Sequence, residues 1–186
     1  MKKFDLLMFL LLFSATASIA QYQTGSKIVT FTGGWSLMNI EESSNSVGGF
    51  ETGGSFEQTS NNGKWAYGVS LTLIKVTDET TGRGKSMYRT TPFTLQGKYM
   101  FGGSDTKFYL QGNLGGHHSS IERDGISETY QNWDYGVVIG GGAGIHKFVS
   151  EKVYVTLAYN LKWLQNSNYK EGVLHTFLGG LGFQFQ

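Results

Sequence analysis

Val173 to Gln186, VLHTFLGGLGFQFQ, is the stretch from which the fold is read. Every second residue (Val173, His175, Phe177, Gly179, Leu181, Phe183, Phe185) falls on one face, which is mostly apolar with aromatics gathered at its end. Leu174, Thr176, Leu178, Gly180, Gly182, Gln184 and Gln186 take the other, and apart from two leucines they are small or polar. Strict alternation of this kind predicts a β-strand lying between two unlike environments. At about 3.3 Å per residue the strand is long for a soluble sheet but suited to crossing a bilayer at a tilt.

The same signature recurs upstream. Lys27 to Met38 sets Val29, Phe31, Gly33, Trp35 and Leu37 against Thr30, Thr32, Gly34 and Ser36, and Phe50 to Thr59 alternates more weakly, with Glu51, Ser55 and Glu57 on its polar side. Trp65 to Val76, Arg89 to Phe101, Lys107 to Ser120, Trp133 to Phe148 and Lys152 to Leu164 complete a predicted set of eight strands. Short turns are predicted at Ser60-Asn-Asn-Gly63, where Asn and Gly accept the positive φ that tight hairpins need, and at Gly102 to Thr106 and Val149 to Glu151. The other connections, 39–49, 77–88, 121–132 and 165–172, are longer and polar. Long and short connections alternate, so with an even strand count every long loop lies at one end. The predicted fold is all-β, an eight-stranded antiparallel up-and-down barrel with short turns on one side of a membrane and longer loops on the other.

A soluble barrel would alternate too. If the apolar faces pointed inward, however, the outer surface would be Gly, Ser, Thr and Gln with few charges, and soluble surfaces carry more. The aromatics also sort by depth. Trp65, Tyr67, Tyr99, Phe101, Phe108, Phe183 and Phe185 lie at the short-turn ends, whereas Trp35, Trp133, Tyr135, Tyr159 and Trp163 lie towards the loops. Aliphatic residues such as Val69, Leu71, Leu95, Leu110 and Leu157 separate the two groups. Two aromatic girdles around an aliphatic band place these faces against lipid. The opposite faces carry Glu51, Glu57, Lys98, Lys107, Asp134, Lys152 and Lys162, predicted to pair inside a lumen only wide enough for side chains.

Composition agrees with this reading. Of the 186 residues 16% are charged and 15% aromatic, with 27 glycines, one proline and no cysteine; soluble domains average about 25% charged. Lys2 and Lys3, the apolar run Leu6 to Phe13 and the small-residue site Ser18-Ile19-Ala20 predict a cleaved secretory signal over 1–20, with a buried N-terminal helix as the alternative. Eight apolar residues are too few for a transmembrane helix, which needs about 20. The mature domain is then 21–186, and losing Lys2, Lys3 and Asp5 takes the 15 basic and 14 acidic residues to 13 of each. A neutral chain without a basic stripe predicts no nucleic-acid partner. The histidines His117, His118, His146 and His175 are spread over three strands, so no metal site is expected, and nothing in the chain predicts a cofactor.

With its export signal, eight alternating strands, loop asymmetry and terminal Gly180-Leu-Gly-Phe-Gln-Phe185, the chain resembles the small eight-stranded outer-membrane barrels, the group of OmpX, OmpW and the OmpA transmembrane domain. Two positions depart from that family's terminal signal: Gln186 follows Phe185, and Leu178 stands where a polar residue is usual. The resemblance implies an integral outer-membrane location among outer-membrane lipids and lipopolysaccharide, insertion by the barrel-assembly machinery, and a monomer. Three functions are compatible with it. The first is a structural or surface-interaction barrel with a polar plugged interior. The second is a conduit for small, hydrophobic solutes, for which Pro92 and Gly140 to Gly144 could mark a break in the wall. The third is a lipid A-modifying hydrolase using His118 and Ser120 with Glu122 or Glu128, although Ile121 stands where the deacylase motif has Asn. The expectation is that the protein is not an enzyme.

Overall fold

The computed structural model describes residues 25–40, 46–78, 85–124, 130–166 and 170–186; the predicted signal at 1–20 lies outside them. Its strands are β1 (Lys27–Ile40), β2 (Ser46–Thr59), β3 (Trp65–Asp78), β4 (Lys85–Gly102), β5 (Thr106–Asp124), β6 (Tyr130–Phe148), β7 (Val153–Asn166) and β8 (Lys170–Phe185). Each pairs antiparallel with the next, and β8 pairs with β1 to close an all-antiparallel barrel. Following the register round from Ile28 through Glu57, Gly68, Gln96, Asn113, Gly140, Lys162 and Leu174 returns to Met38, ten residues up β1. For eight strands that stagger corresponds to a tilt of about 40° and an interior filled by side chains.

The strands run further towards the loop end than alternation predicts. β4 and β5 stay paired as far as Lys85 and Asp124, so about half of the loops expected at 77–88 and 121–132 is ladder. Hydrophobic alternation marks only the stretch whose two faces meet different surroundings. The ladder itself is held by backbone hydrogen bonds and continues through polar sequence. At the other end the turns are tight: Gly63 takes φ +64°, Asn62 Oδ1 accepts from the Lys64 amide at 2.9 Å, and Ser150 Oγ accepts from the Val153 amide at 3.2 Å.

The inward faces form three layers. At the turn end, Ile28, Ala66, Met100, Tyr109, Phe148 and Tyr154 make an apolar, aromatic stopper. At the loop end, Met38, Val47, Ile74, Val76, Tyr88, Ile121, Val138, Leu164 and Leu174 make a second, larger one. Between them is a polar chamber of about 60 Å³ lined by Thr, Ser, Asn and Gln side chains together with Glu51, Lys98 and Lys162. Polar side chains line the middle of the interior, and buried polar groups persist in the end layers too: Glu57, Lys98 and His146 at the turn end, Thr90, His117 and Ser119 at the loop end. The loop-end layer is mainly aliphatic, and polar groups within it pair with one another, Thr90 Oγ1 with Ser119 Oγ at 3.1 Å and Ser119 Oγ with His117 Nδ1 at 2.7 Å.

Candidate functional site

Two surfaces are candidates for function, the outward face and the chamber. Burial on the outward face is inverted relative to a water-soluble protein. Phe31, Trp35, Phe50, Leu71, Leu95 (64% exposed), Leu110, Leu157 and Phe177 are exposed, whereas Glu51 is wholly buried. Trp65, Tyr67, Phe101, Phe108, Phe183 and Phe185 are exposed at the turn end, with Tyr99 half-buried among them. Trp65 and Tyr99 pack at 4.9 Å between centroids, and Tyr99, Phe101 and Phe108 continue the row at 6.1 and 5.9 Å. Trp35, Tyr135 and Tyr159 are exposed nearer the loops and Trp163 is half-buried; the Trp133 side chain lies outside the described part of the molecule. The outward face is thus one continuous apolar surface, larger than the few hundred Å² patches of soluble monomers.

Inside, strand register rather than sequence proximity decides which charges meet. Lys98 on β4 donates to Glu57 Oε1 on β2 at 2.8 Å, and Ser55 Oγ donates to the same oxygen at 2.7 Å. Lys98 also lies 5.1 Å from the Tyr109 ring centroid, a cation–π contact. Lys162 on β7 donates to Glu51 Oε1 on β2 across the chamber. All four residues are buried, so each pair offsets a desolvation that neither charge could sustain alone. Glu51 Oε2, Gln96 Nε2 and Asn113 Oδ1 are buried without a protein partner and border the chamber, and a polar space of about 60 Å³ has room for a few waters to satisfy them.

The other three charges assigned to the lumen are placed differently. Lys152 lies in the turn before β7 and is exposed; it has inward parity, but the barrel ends below it. Lys107 and Asp134 are half-buried at opposite ends of the barrel. The glycine run is unbroken strand in full register. Its inward members instead make room: a Cβ on Gly140 would strike Asn113 and Lys162, on Gly142 it would strike Asn160, and on Gly144 it would strike Tyr109. The β3–β4 ladder does skip, from Leu71–Phe93 to Ile74–Thr90, opposite Pro92, which has no N–H to donate.

His118 and Ser120 share the outward side of β5. His118 packs on Tyr135 at 4.9 Å, Glu122 pairs with Arg89 at 3.2 Å, and Glu128 lies outside the described residues. The short His–Ser contact is on the opposite face, where His117 Nδ1 and Ser119 Oγ are 2.7 Å apart. Both are buried, His117 3% and Ser119 1% exposed. This contact was not singled out from the sequence, although a two-residue spacing on an alternating strand is a sufficient signal for it. Among the described residues no cluster of His, Cys, Asp or Glu could hold a metal ion.

Known structures share this architecture. The chain aligns with Neisserial surface protein A at TM-score 0.69 and 14% identity, covering 87% of this chain and 99% of that one. The chain has the fold of the small eight-stranded outer-membrane barrels. The attachment invasion locus protein Ail of Yersinia pestis aligns at TM-score 0.60 and 14% identity over 88% of this chain and all of that one. OprG of Pseudomonas aeruginosa aligns at 0.51 and 14% identity over 91% and 99%. No protein-family model matches the chain, and no curated protein matches it significantly.

Proposed function

We propose that this barrel is an integral outer-membrane protein with a closed lumen, serving as a scaffold that presents its loop-side hairpin ends to the outside. The inverted burial carries this reading: aromatic and aliphatic side chains cover the outside while the ion pairs are sealed within. Closure of β1 on β8 supports it, because no strand edge is left unpaired in hydrocarbon. The export signal read at 1–20 is consistent with such an address, as is insertion by the barrel-assembly machinery as a monomer. Stoppers at both ends of the chamber favour a scaffold over a pore. Two measurements on the refolded protein test this. Lipid-borne bromine should quench Trp35, Trp65 and Trp163, and planar bilayers containing the protein should show no discrete channels. Tryptophans shielded from the lipid quencher would refute the location, and ion-conducting steps would refute the closed lumen.

A second reading, a conduit for small apolar solutes, is favoured by one observation: the ladder skip opposite Pro92 falls where the loop-end stopper gives way to the chamber. Faster entry of an apolar dye into vesicles containing the protein, slowed by a disulfide across the skip (Leu73→Cys with Thr91→Cys), would support it.

A further inference from the structure

Like charges directly opposed on one face of an antiparallel pair destabilise it, and the outward face of this barrel carries such a pair. Lys75 on β3 is the cross-strand partner of Arg89 on β4, and both are exposed. Arg89 is held in place: its Nη2 donates to Glu122 Oε2 at 3.2 Å, and its Nε lies 3.4 Å from the Met87 sulfur. Lys75 has no acidic partner among the described residues, and its neighbour on the other strand is Phe50. Among the described side chains, two cations thus stand beside the single carboxyl group of Glu122. Among the described side chains, Lys75 and Arg89 are the only outward-facing cations in the loop-side half of the barrel.

Their height matters as much as their charge. Lys75 stands ten residues above Trp65 on the same strand, with Tyr67, Val69, Leu71 and Leu73 as the outward residues between. At about 3.3 Å per residue and a tilt of about 40°, the separation along the barrel axis is about 25 Å, the height of the apolar band of an outer-membrane barrel. Trp65 then marks the inner boundary, and Lys75 with Arg89 meets the level where outer-leaflet headgroups begin. An ammonium there reaches polar surroundings along its own stem.

We propose that Lys75 and Arg89 form a binding site for the phosphate of an anionic outer-leaflet lipid, an assignment that rests on the outer-membrane reading above. A phosphate between them would turn the like-charge repulsion into two charge-assisted contacts, with Arg89 supplying a planar fork and Lys75 a point charge. Glu122 acts as a positioning residue that orients the guanidinium, and Phe50 offers an apolar surface beside the lysine.

The full-length protein, inserted in phosphatidylcholine nanodiscs, is titrated with diphosphorylated lipid A, with its dephosphorylated counterpart, and with inorganic phosphate as competitor. Each cation at a membrane surface is worth about 1 kcal/mol towards an anionic lipid, so Lys75→Gln should weaken binding of the phosphorylated lipid about fivefold, and Lys75→Gln with Arg89→Gln about 30-fold. Lys27→Gln, exposed at the other end of the barrel, should bind as the parent does, and the dephosphorylated lipid should bind weakly to all. Altered mobility of unheated samples on gels checks folding, and the single variant carries the test if the double variant does not fold. Equal binding by the Lys75→Gln variant and the parent, or equal binding of the dephosphorylated lipid, overturns the site. Full displacement by millimolar inorganic phosphate makes it a free-anion site and overturns the lipid assignment. A chain that fails to enter the discs removes both readings, whereas an inserted barrel with unchanged affinities removes the site alone.

Discussion

Replacing Lys162 with methionine leaves the Glu51 carboxylate buried without its counter-charge. In the parent the two side chains are 7% and 0% exposed and joined through Nζ and Oε1. Breaking such a pair from one side costs about 3–5 kcal/mol. The polar chamber beside it lets water take over part of the solvation, so about 3 kcal/mol is expected for Lys162→Met, at the lower end of the range. Glu51→Gln keeps an oxygen to accept from Nζ and should cost about 2 kcal/mol. The double variant removes both charges and should cost no more than either single change, because a neutral pair has no ionic desolvation to offset. The coupling energy is then about 3 kcal/mol or more. Urea unfolding of the four proteins in lipid vesicles, followed by tryptophan fluorescence and by gel mobility without heating, measures it. Effects additive within about 0.5 kcal/mol would refute the claim that this pair is what makes the buried carboxyl group tolerable.

Three further outcomes follow from individual contacts. A Cβ on Gly182 would fall within the Tyr154 ring, whereas one on Gly179 would meet only Leu157 at 3.7 Å; Gly182→Val should lower stability by about 3 kcal/mol or more and Gly179→Ala should leave it nearly unchanged, measured by the same unfolding assay. Tyr154→Phe removes the 2.6 Å buried hydrogen bond between Tyr154 Oη and Thr30 Oγ1 and should cost about 1–2 kcal/mol. In the turn between β4 and β5 the hydrogen bond from Lys147 holds the Asp105 carboxyl below the usual carboxylate range. A carboxyl lowered on folding stabilises above its unfolded value and loses that contribution as pH falls through the folded one. The unfolding midpoints of the parent and Asp105→Asn should therefore differ at pH 7 and converge in strong acid.

The facing of each strand was legible because it depends on local pattern alone: Val155, Leu157, Tyr159 and Leu161 alternate with Thr156, Ala158 and Asn160 whatever the rest of the chain does. The partners in the lumen were not legible. Glu51 meets Lys162 and Glu57 meets Lys98 because of a ten-residue stagger that accumulates round the barrel, and no window of sequence contains it. Lys152 shows the limit of parity, since an inward position counts as interior only while wall surrounds it. The loop-end stopper was missed for a related reason. Met38, Ile74, Val76, Val138 and Leu164 occupy the face that farther along the same strands is polar, so alternation weakens where the lumen turns dry. Lys75 and Arg89 sit fourteen positions apart in sequence and become neighbours only through the β3–β4 register.

The pairing of the first strand with the last has a consequence for how the molecule is made. Fourteen positions of β1, from Lys27 to Ile40, find their second neighbour in residues 172–185, so the far side of the seam is made only after the seven strands that precede it. Until then two raw margins of backbone would have to be shielded, and a chain cut short before Val173 would keep them for good. Assembly is thus all-or-nothing at its final stitch.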